Sequence, residues 1–198
     1  MSVDQINALI DRDIYEDAYE RQNANLVRFT GKNPAESIET TLYICPLCEK
    51  IGTIHSEGKR FFCPCGLEAE YSETGLLSGD KLPFSTISEW DRWQTDKLGE
   101  LVAEADGGTI CSDKGQSLML VRSAKGSTLV GEGLMEIDRE SLHCAGISFP
   151  IKNIMRIEVA GQMTLLFALK DGSSYEVHSP TPRSALKYRE IFRILSNK

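Results

Sequence analysis

The chain has 198 residues, 41% of them hydrophobic, and a formal charge of −7. That length and composition suit one large or two small globular domains, and no apolar run approaches the ~18 residues of a membrane-spanning helix. The charge is uneven: residues 1–106 carry 10 basic and 20 acidic side chains and residues 107–198 carry 12 and 9, so an acidic half precedes a mildly basic one.

Ser2 and Gln5 form a capping box for a first helix with Val3, Ile6, Leu9 and Ile10 on its apolar face. Asp13 with Glu16 starts a second short helix carrying Ile14, Tyr15, Ala18 and Tyr19. Both read as amphipathic helices that pack on something nearby. Asn23 to Pro34 is a polar connection ending in the turn signal Gly31-Lys32-Asn33-Pro34, and Ala35 to Thr41 is a short helical run. Residues 1–41 are thus a helical connector.

Residues 42–80 organise the chain. Cys45, Cys48, Cys63 and Cys65 stand as two close pairs, each interrupted by proline, on either side of two strand-like runs joined by Ser56-Glu57-Gly58-Lys59. Two cysteine pairs at this spacing are a four-thiolate metal site, and the short hairpin between them makes a zinc ribbon, a unit too poor in core to fold without its ion. Disulfides are disfavoured because no apolar signal segment follows Met1. Mononuclear iron in a rubredoxin-like site is the competing metal, weakened by a second pair that is Cys-x-Cys rather than Cys-x-x-Cys. Four thiolates close the coordination sphere, so one structural zinc ion is expected and catalytic zinc is not. The acidic half makes nucleic acid an unlikely partner, since Lys50, Lys59 and Arg60 are answered by Glu49, Glu57, Glu68 and Glu70. Leu67, Ala69 and Tyr71 alternate as a third ribbon strand, and Thr74 to Asp80 is loop.

Residues 81–106 form an amphipathic helix that packs on the ribbon: Thr86 and Glu89 cap it, and Trp90, Trp93, Leu98, Leu101 and Val102 recur at helical spacing, a core stripe rather than a ligand platform. Asp106-Gly107-Gly108 ends it and marks a domain boundary. Residues 107–198 change to about seven short β runs punctuated by turns such as Asp171-Gly172, then Thr181-Pro182 and a final helix with Ala185, Tyr188, Ile191, Phe192 and Leu195 on one face. This is the pattern of a pleckstrin-homology-like β-barrel plugged by a C-terminal helix, with lipocalin-type barrels and OB folds as alternatives. The fold class expected for the chain is therefore α+β, mostly β.

No candidate active site emerges. His143 and Cys144 are adjacent and face opposite sides of a strand, Cys144 and Cys111 read as buried small apolar groups, and His55 and His178 are not ligands. Arg122 and Lys125 flank the first barrel hairpin, a place for weak contact with an anionic membrane surface at about 1 kcal/mol per cation.

The run ICPLCEKIGTIHSEGKRFFCPCGLEAEYSETGLL with LPFSTISEWDRWQ resembles the C-terminal extension of certain bacterial 1-acylglycerol-3-phosphate acyltransferase-like proteins, in which the acyltransferase domain comes first. DIYEDAYERQ and FTGKNPAES resemble the connector in those chains, so the resemblance spans about residues 10–98. That family's catalysis uses a His-x-x-x-x-Asp motif, whereas Arg60, Ser148 and Arg183 stand five residues after His55, His143 and His178. Only Cys45, Cys48, Cys63 and Cys65 carry over, as metal ligands. The resemblance implies a non-catalytic zinc-binding module of phospholipid biosynthesis, serving to dock an acyltransferase domain or another protein, or to position it at the membrane. The chain is then either the C-terminal piece of a longer enzyme or a stand-alone relative; the alternative is a free-standing zinc-ribbon interaction adaptor, for protein or nucleic acid, without any link to acyl transfer. A cytoplasmic location, peripheral to the inner face of the membrane, goes with the first reading.

Overall fold

The computed structural model describes residues 2–14, 18–123 and 126–196. Its elements are helices α1 (Val3–Ile14), α2 (Ala18–Ala24), α3 (Ile87–Glu104) and α4 (Leu186–Ser196), and strands in two antiparallel sheets. The smaller sheet runs β1 (His55–Glu57), β2 (Arg60–Cys63), β3 (Leu67–Tyr71) and β4 (Leu77–Ser78) in simple sequence order. The larger is built from β5 (Cys111–Ser123), β6 (Gly126–Ile137), β7 (Ser141–Cys144), β8 (Ile147–Pro150), β9 (Ile154–Ala160), β10 (Thr164–Leu169) and β11 (Ser174–His178). Their order across that sheet is β8-β7-β6-β5-β11-β10-β9.

The expected barrel does not close. β8 and β9 are the two ends of the strand order, with no ladder between them among the described residues. What joins the two ends of the sheet is side-chain packing: Phe149 of β8 lies 4.9 Å from Phe167 of β10 and 5.0 Å from Tyr175 of β11, centroid to centroid. The sheet therefore bends over an aromatic core, and β8 and β9 have no further strand partner on their outer edges among the described residues. α4 covers the concavity, burying Tyr188, Ile191 and Phe192, with Ala185 buried just before it, as the sequence stripe requires.

β4 stands where a loop was expected. Leu77 is buried, its N–H donates to the Ser85 carbonyl, and Tyr71↔Leu77 pairing draws it onto β3. The helical run before Cys45 contracts to a single 3₁₀ turn at Ile38–Thr40. At the N-terminus the Ser2–Gln5 capping box forms, but Val3, Ile6 and Ile10 remain exposed and only Leu9 is half-buried, so most of the apolar stripe of α1 is uncovered by the described residues. The expected start of the second helix at Asp13–Glu16 runs into residues outside the described set.

α3 couples the two sheets. Its buried positions, Trp90, Gln94, Leu98 and Val102, follow one another at four-residue steps. Trp90 belongs to the ribbon core with Leu42, Phe61 and Leu67, whereas Leu98 and Val102 belong to the core of the large sheet. The helix begins on a full capping box, in which Thr86 Oγ1 accepts from Glu89 N–H and the Glu89 carboxylate accepts from Thr86 N–H. Thr86→Ala is expected to cost about 1 kcal/mol of stability, read from the urea midpoint. The Ser85 backbone N–H and then its hydroxyl hold the Glu89 carboxyl below its usual range. A carboxyl whose folded pKa is depressed contributes stability that is fully present above its unfolded pKa and is lost as pH falls through the folded one. The stability gap between the native chain and Glu89→Gln should accordingly be present at neutral pH and shrink below about pH 4.

Candidate metal centre

The peptide leading to the first cysteine pair is held by α3 through its backbone. Trp90 Nε1 donates to the Ile44 carbonyl at 2.9 Å. The buried Gln94 side chain accepts from Tyr43 N–H at 3.0 Å and donates to the Thr41 carbonyl at 2.9 Å. Side chains of residues 42–45 then part company: Leu42 and Cys45 enter the ribbon core, Tyr43 and Ile44 the core of the large sheet. Periodicity found the tryptophan, but nothing in the sequence singled out Gln94, because an isolated glutamine on a helix reads as surface.

The turn after Cys45 closes with Glu49 N–H donating to the Cys45 carbonyl at 2.8 Å and Cys45 N–H to the Lys50 carbonyl at 3.1 Å. This curl requires left-handed backbone at Glu49, φ 58°, and at Gly52, φ 72°. Glu49 has its carboxylate 2.7 Å from Lys97 Nζ of α3, a second tie between the turn and that helix. The second pair sits where β2 ends. Gly66 N–H donates to the Cys63 carbonyl at 3.0 Å, and Gly66 takes φ 99°.

These two turns bring the four sulfurs within 4.8 Å of one another. Cys45 Sγ lies 3.5 Å from Cys65 Sγ, and Cys48 Sγ lies 3.8 Å from Cys63 Sγ. A tetrahedron of metal–sulfur bonds of about 2.3 Å sets neighbouring sulfurs about 3.8 Å apart. The donor set therefore fits a soft metal ion, and no other group of three or more candidate ligands converges among the described residues.

Burial raises the pKa of Cys45 and, against the Thr53 hydrogen bond, that of Cys63. At Cys65 burial also works against ionisation. The Leu67 backbone N–H and then the facing thiols of Cys63, Cys45 and Cys48 overcome it and lower that pKa to about 7. Thr53 Oγ1, 3.2 Å from Cys63 Sγ, is an outer partner that sequence spacing alone did not reveal.

Gly52 is held tightly for a second reason, since a Cβ built there would come within 3.1 Å of Lys187 Nζ on α4. Gly52→Ala should lose about 1–2 kcal/mol from the left-handed backbone alone, measured as a lower urea midpoint of the metal-loaded protein.

The remaining candidates lie apart from this centre. His55 is exposed and rests beside Phe62, ring centroids 5.8 Å apart. His178 Nε2 lies 3.0 Å from the Glu176 carboxylate. Cys111 and Cys144 are buried in the large sheet, and His143 faces the other way from Cys144. On that outer face His143 bridges Asp138, at 2.9 Å from Nε2, and Ser148, at 2.6 Å from Nδ1, a cross-strand chain that the sequence reading did not find. Arg122 is exposed near the end of β5, and Lys125 lies outside the described residues. Among the ribbon cations, Arg60 pairs with Glu68 at 3.2 Å and Lys59 with Glu73 at 3.5 Å. Among the described residues no helix is long and apolar enough to cross a membrane.

The sequence matches no protein-family model and no curated protein.

Proposed function

We propose that this chain is a non-catalytic docking module, tied together by one structural zinc ion, that serves an acyltransferase of phospholipid biosynthesis. The observation that carries the non-catalytic part is the convergence of four thiols on one point. With all four positions of a tetrahedron taken by sulfur, no site remains for a water or a substrate, and zinc is the ion that soft four-sulfur tetrahedra most often hold. The acyltransferase link rests on the resemblance of residues 10–98, in which the cysteine frame, FFCPCGLEAEY and EWDRWQ occur together. The strand order β8-β7-β6-β5-β11-β10-β9, closed off by α4, supports a pleckstrin-homology-like reading of the second half. Exposed Arg122 near the β5–β6 turn is where that half would touch an anionic surface.

The test has three readouts on purified protein: metal content, acyl transfer to lysophosphatidate, and association with the catalytic domain of a 1-acylglycerol-3-phosphate acyltransferase from the same cells. One zinc per chain, no transfer and a saturable complex are expected. Transfer by the chain alone would sink the non-catalytic reading, and failure to associate would sink the acyltransferase link. A second reading, a free-standing protein-interaction adaptor, is favoured by the exposed apolar residues Val3, Ile6, Ile10, Leu26 and Phe29. Under it, association with the acyltransferase domain is absent while zinc remains.

A further inference from the structure

The large sheet buries more positive than negative charge. Lys187 on α4 is 1% exposed and Arg183, just before α4, is 6% exposed. Both reach the same neighbourhood as Asp113 and Gln116 of β5, where a bulge between those two residues, with Gly115 at φ 68°, breaks the register. In an unbroken strand, positions three apart face opposite sides; the bulge brings both side chains to the α4 side.

The partners can be counted. Asp113 accepts from Lys187 Nζ at 2.9 Å and from the Tyr188 hydroxyl at 2.8 Å. Arg183 Nε donates to Gln116 Oε1, and Gln116 is itself held by donating to the Lys114 carbonyl at 2.8 Å and to Ser179 Oγ at 3.2 Å. The Tyr188 ring lies beneath both cations, 5.5 Å from the guanidinium carbon and 5.4 Å from Nζ. After these contacts both terminal nitrogens of Arg183 remain buried without a hydrogen-bond acceptor among the described residues.

Lys187 and Asp113 form an ion pair, which leaves the charge of Arg183 without a counter-ion, and that charge stays, because a guanidinium does not give up its proton. The nearby thiols do not supply the missing charge: burial pushes Cys144 up to about 11 and Cys111 up to about 12, so both are neutral at pH 7. A buried charged donor with no acceptor costs several kcal/mol. A water molecule would satisfy the nitrogens and leave the charge.

We propose that the terminal nitrogens of Arg183 bind a small monovalent inorganic anion of the halide class, enclosed between β5, the β11–α4 connection and α4. Both nitrogens are shut off from solvent, so an occupant must be small, and the single uncompensated positive charge sets its valence. The ion would lock α4 onto the bulged strand. It is independent of the metal centre and of the acyltransferase reading.

The experiment measures thermal unfolding of the zinc-loaded chain at constant ionic strength while sodium chloride replaces sodium gluconate, whose anion is too large to enter. Above the dissociation constant, each tenfold rise in chloride should raise Tm by about 3–5 °C. Arg183→Met should be flat to chloride and, at low chloride, as stable as the native chain or more so. Line broadening of the ³⁵Cl resonance by the native protein, absent with Arg183→Met, supplies a readout that needs no unfolding. Crystals grown in bromide give a third, an anomalous peak beside the Arg183 terminal nitrogens. A flat native response, an equal response in the variant, or a water in place of the bromide would each overturn the proposal.

Discussion

Cys63→Ser is expected to abolish stoichiometric metal binding and to unfold the ribbon sheet. Structural zinc contributes about 10–16 kcal/mol, apparent, to small metal-dependent domains, while the ribbon's own core is a short cluster around Leu42, Phe61, Leu67 and Trp90. Among the four candidate ligands, Cys63 is the one built into the ribbon sheet. It terminates β2, is buried, pairs across to Leu67 and holds Thr53 on its other side. A serine hydroxyl there is a poor ligand for a soft ion and leaves three thiols crowded without their common partner. Metal content by mass spectrometry and the near-ultraviolet signal of the tryptophans, Trp90 and Trp93, are the two measurements. Retention of one metal per chain with an unchanged melting curve would overturn the structural role assigned to the centre. Treating the native protein with a strong chelator should reproduce the variant's spectrum.

Trp90→Ala should cost about 3–5 kcal/mol, the range for deleting a large buried aromatic, and should also weaken metal affinity. Trp90 is fully buried, with Phe61 and Phe84 each 5.8 Å from its ring. Its Nε1 is the partner of the Ile44 carbonyl, one residue before Cys45, the first candidate ligand. The alanine variant therefore opens a cavity and frees the entry to the metal turn in one step. Trp90→Phe keeps most of the packing and removes the donor, so it should fall between the two. Urea midpoints rank stability, and competition with a chromogenic chelator ranks affinity. Equal affinity in all three proteins would mean that α3 supports the ribbon without shaping its metal turn.

Much of this was legible because it is local. The cysteine frame, the Thr86–Glu89 box and the alternating runs from residue 111 onward are short-range signals, and each corresponds to an element or cluster in the structure. The apolar stripe of α4 is read in the same way. What escaped depends on tertiary context. Gln94, Lys187 and Arg183 are polar side chains that a composition rule sends to the surface, yet they are buried by partners 51 to 74 positions away. The Asp138–His143–Ser148 chain needs the β7–β8 register, which places His143 opposite Ser148. β4 needs Ser85 to pair with a strand of only two residues. The stripe on α1 shows the reverse failure. Periodicity says that a face wants cover, and it does not say that this chain provides it.

The ladder between β5 and β11, with Ser117 opposite His178, has a consequence for the order of events during synthesis. That pairing joins nearly the first and the last residues of the large sheet, so the sheet stays incomplete until β11 has left the ribosome. Contacts this distant along the chain carry a high loop-closure cost and form slowly. The four cysteines, by contrast, lie between residues 45 and 65 and emerge together, long before it. Metal capture can therefore come first, and the nascent chain would then hold a ribbon-bound 42–45 segment whose Tyr43 and Ile44 wait as a preformed wall for the core still to be made.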